Sequence, residues 1–338
     1  MGDKSVTIED VARAAGVSRQ TVSNVVNTPS IVKAETRERV QQAIRRMGYA
    51  PHASARRLRT RRSSTIGIHL DPYAGGISGV VLDRFVHALT ELAGERGLRV
   101  LVYAARDHDE EIRRMGDLVD GGDVDAVVVT GTSYGDGRIA WLRERGVPFV
   151  SFGRPWDADD IDDPAHLWVD VDGAAGTRAA TAHALTVGPR VAFLGWPAGS
   201  ATGDDRERGW REAMTEAGGL ARTRLVAEEN VSAARDRVAE LLDRTGPDGV
   251  DAIVCASDTL AVGAHVATVA AQRADVAIVG FDNTPAAEAL GLSSIEQLPE
   301  LVAAGTLDLL LAGNTHIERR ATLPGRAHVL VQPRLVTR

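Results

Sequence analysis

The chain changes its hydrophobic period once, near residue 63. Before it, Ile8, Val11, Ala12 and Ala15 recur at helical spacing behind Thr7, whose hydroxyl can cap the backbone N–H groups of a first turn carrying Glu9 and Asp10. Gly16-Val17 ends that helix, since glycine takes the left-handed conformation of a sharp exit. Ser18 can cap a second helix over 19–26, with Val22, Val25 and Val26 turned inward. A third helix is expected over 34–47, with Val40, Ile44 and Met47 in line and Gly48 closing it. Beyond residue 63, apolar strand-like runs at 65–70, 99–103, 126–130, 149–152, 168–171, 190–194, 252–256 and 277–281 alternate with helical stretches such as 80–93, 174–185 and 231–242. That alternation is the signature of a parallel α/β sheet. No internal repeat or low-complexity tract interrupts it.

Two short helices meeting at a glycine turn and followed by a third have helix-turn-helix geometry, in which the second helix lies in the DNA major groove. A generic helical hairpin has the same spacing. The polar positions of the second helix bear on the choice. Arg19, Gln20 and Asn24 are side chains that read guanine and adenine edges with paired hydrogen bonds, and Ser18, Thr21 and Asn27 can contact phosphates. Thr7 joins them among the candidate DNA-contacting residues.

Charge sharpens the division. Residues 1–62 hold thirteen Lys/Arg against five Asp/Glu, +8, whereas the rest holds 26 against 41, −15, for a net charge of −7. Such asymmetry points to a nucleic-acid module joined to a body with another task, although a solvated basic face has the same balance. Lys4 and Lys33 are the only lysines, so the body can form neither a Walker A loop nor a lysine Schiff base. The single Cys255 sits in the apolar run 252–256 and reads as a small buried hydrophobe. With no apolar run of membrane-spanning length and no secretory signal, the expected compartment is cytoplasmic, with no membrane partner.

The run 6–27, Val-Thr-Ile-Glu-Asp-Val-Ala-Arg-Ala-Ala-Gly-Val-Ser-Arg-Gln-Thr-Val-Ser-Asn-Val-Val-Asn, resembles the head of the lactose-repressor/purine-repressor family almost position for position. Thr36-Arg-Glu-Arg-Val40 and Met47-Gly-Tyr-Ala-Pro51 extend the likeness. The resemblance puts Arg19, Gln20 and Asn24 at the base-reading positions. Lys33 departs from it, standing where a serine often caps the third helix, which weakens the cap and adds a possible phosphate contact. The Arg-dense stretch 52–62 reads alone as a basic linker. By the resemblance it is a hinge helix that orders on DNA, with Leu58 wedging into a minor-groove base step and His52, Ala55 and Arg59 at neighbouring groove-facing positions.

The likeness continues less closely through the body, at Trp168-Val-Asp-Val-Asp-Gly-Ala-Ala-Gly176, Arg190-Val-Ala-Phe-Leu-Gly195, Arg206-Glu-Arg-Gly-Trp210, Cys255-Ala-Ser-Asp-Thr-Leu-Ala-Val-Gly263 and Val279-Gly-Phe-Asp-Asn283. It implies two doubly wound parallel-sheet subdomains of periplasmic-binding-protein type joined by three crossovers, with the ligand between them at the carboxyl ends of the strands. The expected organisation is a helical head over 1–51, a hinge over 52–62 and an effector-binding and dimerisation body over 63–338. Crossovers near 163–168, 290–296 and 320–328 would divide the body into an N-subdomain (63–165 plus 294–322) and a C-subdomain (166–293 plus 323–338).

Polar residues at the strand ends are the candidate effector contacts: Asp71, Tyr73, Arg154, Arg206, Ser257, Asp258, Asp282 and Gln297. Arg206 matches a family effector-binding arginine and Asp282 an acid that accepts from ligand hydroxyls. Each can instead be a cap or an ion-pair partner, Asp258 above all, but together they favour a sugar or polyol. Two departures bear on the ligand. Gly75-Gly-Ile-Ser78 replaces the family's Asn-Pro-Phe-Phe, and Val231 stands where the lactose repressor has a stacking tryptophan. Trp196 can supply an aromatic face in its place.

An enzyme reading finds only Gly135-Asp-Gly-Arg-Ile-Ala140, a GxGxxA pattern after the third body strand with no acid ending the next, which reads as a polar loop. The sequence therefore leads to a homodimeric regulator, without catalytic residues, metal or cofactor. It would bind a pseudo-palindromic operator in double-stranded DNA and be released by a sugar-like inducer. The alternatives are corepressor-dependent repression of the purine type, or a cytoplasmic small-molecule-binding protein without regulatory DNA binding.

Overall fold

The structure is a computed structural model, and it describes residues 6–49, 63–70, 77, 79–156, 161, 163, 165–219, 221–246, 248–313 and 328–338. The chain forms two compact units, Met1–Ser63 and Ser64–Arg338. Residues 52–62, Asp71, Tyr73 and most of the expected third crossover lie outside the described residues.

In the first unit α1 is Ile8–Ala15, α2 Arg19–Asn27 and α3 Ala34–Met47, with a short 3-10 turn at Pro29–Ile31. Thr7 and Asp10 close a capping box on α1: the Asp10 N–H donates to Thr7 Oγ1 at 3.3 Å, and the Thr7 N–H donates to Asp10 Oδ2 at 3.0 Å. Gly16 ends α1 at φ 63° and Gly48 ends α3 at φ 65°, both left-handed. Ser18 caps α2 through the Thr21 N–H, whereas Lys33 offers α3 no side-chain cap. Val11, Ala12, Ala15, Val22, Val25, Val40 and Ala43 form the core, flanked by Ile8, Val26, Ile44 and Met47. The apolar stripes of all three helices thus meet in one small interior.

The second unit contains two six-stranded sheets. The elements of its first stretch are β1 (Thr65–Leu70), α4 (Gly79–Glu95), β2 (Arg99–Ala104), α5 (His108–Asp120), β3 (Ala126–Val129), α6 (Gly137–Glu144), β4 (Phe149–Phe152) and β5 (Trp168–Val171). The second stretch runs α7 (Gly173–Ala184), β6 (Val191–Gly195), α8 (Ala201–Glu216), β7 (Arg224–Val226), α9 (Val231–Thr245), β8 (Ala252–Cys255), α10 (Asp258–Ala270), β9 (Ala277–Phe281), α11 (Pro285–Ala289) and β10 (Ser293–Glu296). The chain closes with α12 (Pro299–Gly313), β11 (His328–Val331) and β12 (Arg334–Val336). Strand orders are β11-β5-β4-β3-β1-β2 and β12-β10-β9-β8-β6-β7. Among the described residues every pair is parallel except β10–β12. The first sheet carries a core on each face, one around Phe85, Leu89, Val302 and Leu310 and one around Met115, Ile139 and Leu142.

Sheet membership corrects the three crossovers, each of which falls downstream of its expected place. β5 pairs with β4 and β11 and so belongs to the first sheet; the chain crosses after Val171. β10 pairs with β9 and β12 in the second sheet, so the return crossing follows Glu296. The last falls between Val331 and Arg334. An apolar run signals a strand but not the neighbour to which it hydrogen-bonds, and β10, Ser-Ser-Ile-Glu, carries little apolar signal although all four residues are buried.

Close helix packing explains one sequence motif. A Cβ on Gly209 would stand 2.1 Å from the Ala174 carbonyl oxygen, so α7 and α8 meet at a contact only glycine permits.

Candidate functional site

In the head, burial of Val22 and Val25 turns the opposite face of α2 outward. Ser18, Arg19 and Gln20 are exposed, Thr21 and Asn24 half-buried; Asn27 is the last residue of α2, and its side chain is not among those described. Without DNA these groups satisfy one another. Gln20 Nε2 donates to Asn24 Oδ1 at 3.0 Å, Arg19 Nη1 stands 3.4 Å from Glu9 Oε1, and the Ser18 and Thr21 hydroxyls are 2.9 Å apart. Such exposed contacts are worth well under about 1 kcal/mol each, so base edges and phosphates can displace them readily. Thr7 holds its capping box, so its hydroxyl already donates to Asp10 Oδ2 at 2.6 Å.

In the body a cavity of about 200 Å³ lies between the two sheets, at the carboxyl ends of their strands. From the first subdomain come Thr132, Phe152, Trp156 and Asp170; from the second come Thr202, Asp205 and Arg206; Gln297 enters from the crossover after β10. Arg206 is 6% exposed, donates from Nη1 to the Ala256 carbonyl at 2.5 Å, and lies 3.7 Å above the Phe281 ring centre. Its Nε is buried without a protein partner, as is the Thr130 hydroxyl oxygen in the same cavity lining. Burial pulls the guanidinium down from its ordinary value. Asp282, 3.8 Å from Arg206 Nη1, accepts from Gln297 Nε2 at 2.5 Å.

Burial also pushes the Asp282 carboxyl up to about 8, outweighing the pull of Arg206. Its ordinary unfolded value is near 3.9, so the native state holds the extra proton. Native stability from this group is fully present below about pH 4 and is lost as pH rises through about 8. Asp282→Asn is therefore expected to flatten the fall in stability across that window, read from thermal melts at each pH. An unchanged pH slope would mean that the group ionises normally.

The remaining expected contacts divide. Arg154 donates to Asp170 Oδ2 at 2.6 Å and to the Val171 carbonyl at 3.0 Å, and stands 3.6 Å from Asp205; it braces the cavity acids across the cleft. Ser257 caps α10 and donates to Glu229 Oε2 at 2.9 Å. The structure gives Asp258 another role: its Oδ2 takes the Thr284 N–H and hydroxyl and its Oδ1 the Ser294 hydroxyl, so it fastens α10 to the start of α11 and to β10, and it is not among the residues that line the cavity. The notion that it caps α10 is corrected, since Ser257 occupies that position. Trp196 lies 5.4 Å from the Arg206 guanidinium with its Nε1 on Glu229, while the aromatic that lines the cavity is Trp156. Trp156 donates from Nε1 to Thr132 Oγ1 at 3.0 Å, with the Arg154 guanidinium 5.0 Å from its ring centre. Sequence reasoning missed Trp156, Asp170 and Asp205, although each is within two residues of a strand end or of a named arginine.

The GxGxxA stretch is not a phosphate loop. Asp136 caps α6, and Arg138 turns inward to join Glu111, Asp136 and the carbonyls of Thr130 and Gly131. Among the described residues no helix is long and apolar enough to cross a membrane.

An exposed recognition helix in one unit, with a polar cleft between two parallel sheets in the other, defines a ligand-responsive DNA-binding regulator. The family model for bacterial regulatory proteins of the lacI family matches residues 7–52, and that for periplasmic binding proteins and the sugar binding domain of the LacI family matches residues 81–315. The chain belongs to the LacI family of transcriptional regulators, a family of regulators and not of enzymes. It is 34% identical over 327 residues to the HTH-type transcriptional regulator CelR of Thermobifida fusca, covering 90% of this chain and 91% of that one. Among solved structures, a LacI-family regulatory protein from Chloroflexus aggregans superposes with TM-score 0.73 at 32% identity, over 81% of this chain and 97% of that one. A CelR–cellobiose complex superposes with TM-score 0.69 at 28% identity, over 98% of each chain.

Proposed function

We propose that this regulator represses a carbohydrate-utilisation operon and is released from its operator by a small sugar-like inducer bound between the two subdomains. The observation that carries the reading is the Arg206–Asp282–Gln297 group, buried at the cavity with one guanidinium N–H unpartnered. A hydroxyl-rich ligand supplies the acceptor that this donor lacks, and Asp170 and Asp205 offer acceptors in return. Trp156 gives an apolar face for a sugar ring. Cellobiose, the ligand in the solved CelR complex, is the first probe. Calorimetry against cellobiose and a panel of mono- and disaccharides, followed by gel-shift titration of the operator with each binder, tests the reading. A panel without a binder, or a binder that tightens operator association, overturns it.

In this reading the protein is a cytoplasmic homodimer on a pseudo-palindromic site, because two heads related by a two-fold axis require symmetric half-sites. Light scattering is expected to give two chains per particle; four would contradict it. Arg19, Gln20 and Asn24 read base edges, while Leu58 wedges into the central step. Gln20→Ala is expected to cost about 1–3 kcal/mol at one base position per half-site and to relax selectivity there. Equal losses across all operator variants in a binding array would remove Gln20 from the base-reading set.

A further inference from the structure

The crossover from the second subdomain back to the first is gripped on both flanks by one side chain. β10 ends at Glu296 in the second sheet, Gln297 and Leu298 make the crossing, and α12 begins at Pro299 against α4 of the first subdomain. Leu298 sits at φ 56°, a left-handed conformation that a leucine keeps only where its surroundings impose it. Arg84 of α4 donates from Nε and Nη2 to the two oxygens of Glu300, at 2.9 Å each, a bidentate fork. Its third nitrogen, Nη1, stands 2.8 Å from Glu296 Oε1.

The two arms differ in setting. The Glu300 side chain is 52% exposed and lies in the same subdomain as Arg84, whereas that of Glu296 is 6% exposed and belongs to the other sheet. The buried arm leads back to the cleft. Glu296 Oε2 accepts from Asn283 Nδ2, Asn283 (φ 50°) follows Asp282 (φ 116°), and Asp282 accepts from Gln297. Neither Arg84 nor Glu296 lines the cavity, but Gln297, next to Glu296 in the chain, does.

We propose that Arg84 is a positioning residue for the ligand cleft: its guanidinium straps Glu296 to Glu300 across the crossover, fixing Gln297 against Asp282 and setting the angle between the subdomains. Rotation about the crossover must stretch the Glu296 arm and leaves the Glu300 arm untouched, because only the first joins different sheets. Screening weakens the exposed Glu300 arm more than the Glu296 arm, whose carboxylate is buried, so the hinge angle is controlled from the Glu296 side. A ligand that draws on Gln297 or Asp282 pulls on the same strap.

The angle is measurable in the full chain without any ligand. Cys255 is fully buried, so donor and acceptor dyes can be placed through Asp109→Cys on α5 and Asp243→Cys on α9, both exposed. Time-resolved energy transfer is expected to show one narrow distance distribution in the otherwise unaltered protein. Arg84→Met and Glu296→Gln each broaden it by at least 1.5-fold, the double variant broadens it no further than either alone, and Glu300→Gln gives less than half the effect. Arg84→Lys, with a point charge that cannot hold two carboxylates in a fixed fork, stays broadened. Should Arg84→Met not fold, the isosteric Glu296→Gln carries the test. An unbroadened Glu296→Gln distribution, Glu300→Gln matching Glu296→Gln, or full restoration by Arg84→Lys overturns the strap.

Discussion

Arg206→Ala is expected to weaken inducer binding at least 100-fold while operator binding survives, so the variant represses constitutively. The guanidinium is the buried cation at the cavity, and its loss removes charge-assisted hydrogen bonds worth about 1.5–3 kcal/mol each. A loss of about 2.7 kcal/mol is already 100-fold in affinity. Folding suffers less than removal of an ion-pair partner usually implies. Burial already favours the neutral form of Asp282, so without Arg206 the carboxyl keeps its proton and is not left as an unpaired charge. Calorimetry and gel shifts on the same preparation check both halves. A variant that responds to inducer at unaltered concentrations would remove Arg206 from the site, and one that no longer binds operator would make its role structural.

Arg138→Ala is expected to cost about 3–5 kcal/mol of stability, as loss of one partner from a buried ion pair does. Arg138 is 1% exposed and Glu111 is 0% exposed; they meet at 2.7 Å, and Asp136 takes two more donors from the same guanidinium. Truncation strands the Glu111 carboxylate in the interior between β1, α5 and α6. It also frees the carbonyls of Thr130 and Gly131, residues that line the cavity, so ligand affinity should fall as well. Adding Glu111→Gln to Arg138→Ala should recover part of the stability, because the uncompensated charge is removed. Urea titration of the three variants reads the cycle. A single-variant loss below about 1 kcal/mol would mean that water reaches the pair.

The head was legible from sequence because its information is local. Thr7, Gly16, Ser18 and Gly48 act within one turn of their own helix ends, and the valines of three short helices have only one interior to share. Eight of the body's strands were legible for a similar reason: continuous apolar runs such as 126–129 and 252–255 have nowhere to go but the middle of a sheet covered on both faces. Arg206 and Asp282 were found through family likeness and Gln297 as a polar residue at a strand end, and the tertiary structure then brought Arg206 of α8 and Gln297 of the second crossover each within 4 Å of Asp282, just beyond β9.

What only the tertiary structure decided is which sheet each strand joins and which way each polar side chain turns. β5 reads as apolar in either subdomain, and hydrogen bonding to β4 and β11 assigns it to the first. Asp258 and Asp170 are both acids beside strand ends, yet one spends its oxygens on Thr284 and Ser294 while the other lines the cavity. Trp196 and Trp156 follow the same logic, as does Arg138, which a glycine-rich pattern hid in an apparent loop. The sequence by itself determined a helical head and an α/β body, because capping and hydrophobic period act over a few residues, and likeness to the repressor family gave the head its DNA-reading role. The cleft was left to tertiary structure, because a buried charge takes its role from partners that lie tens to hundreds of residues away along the chain.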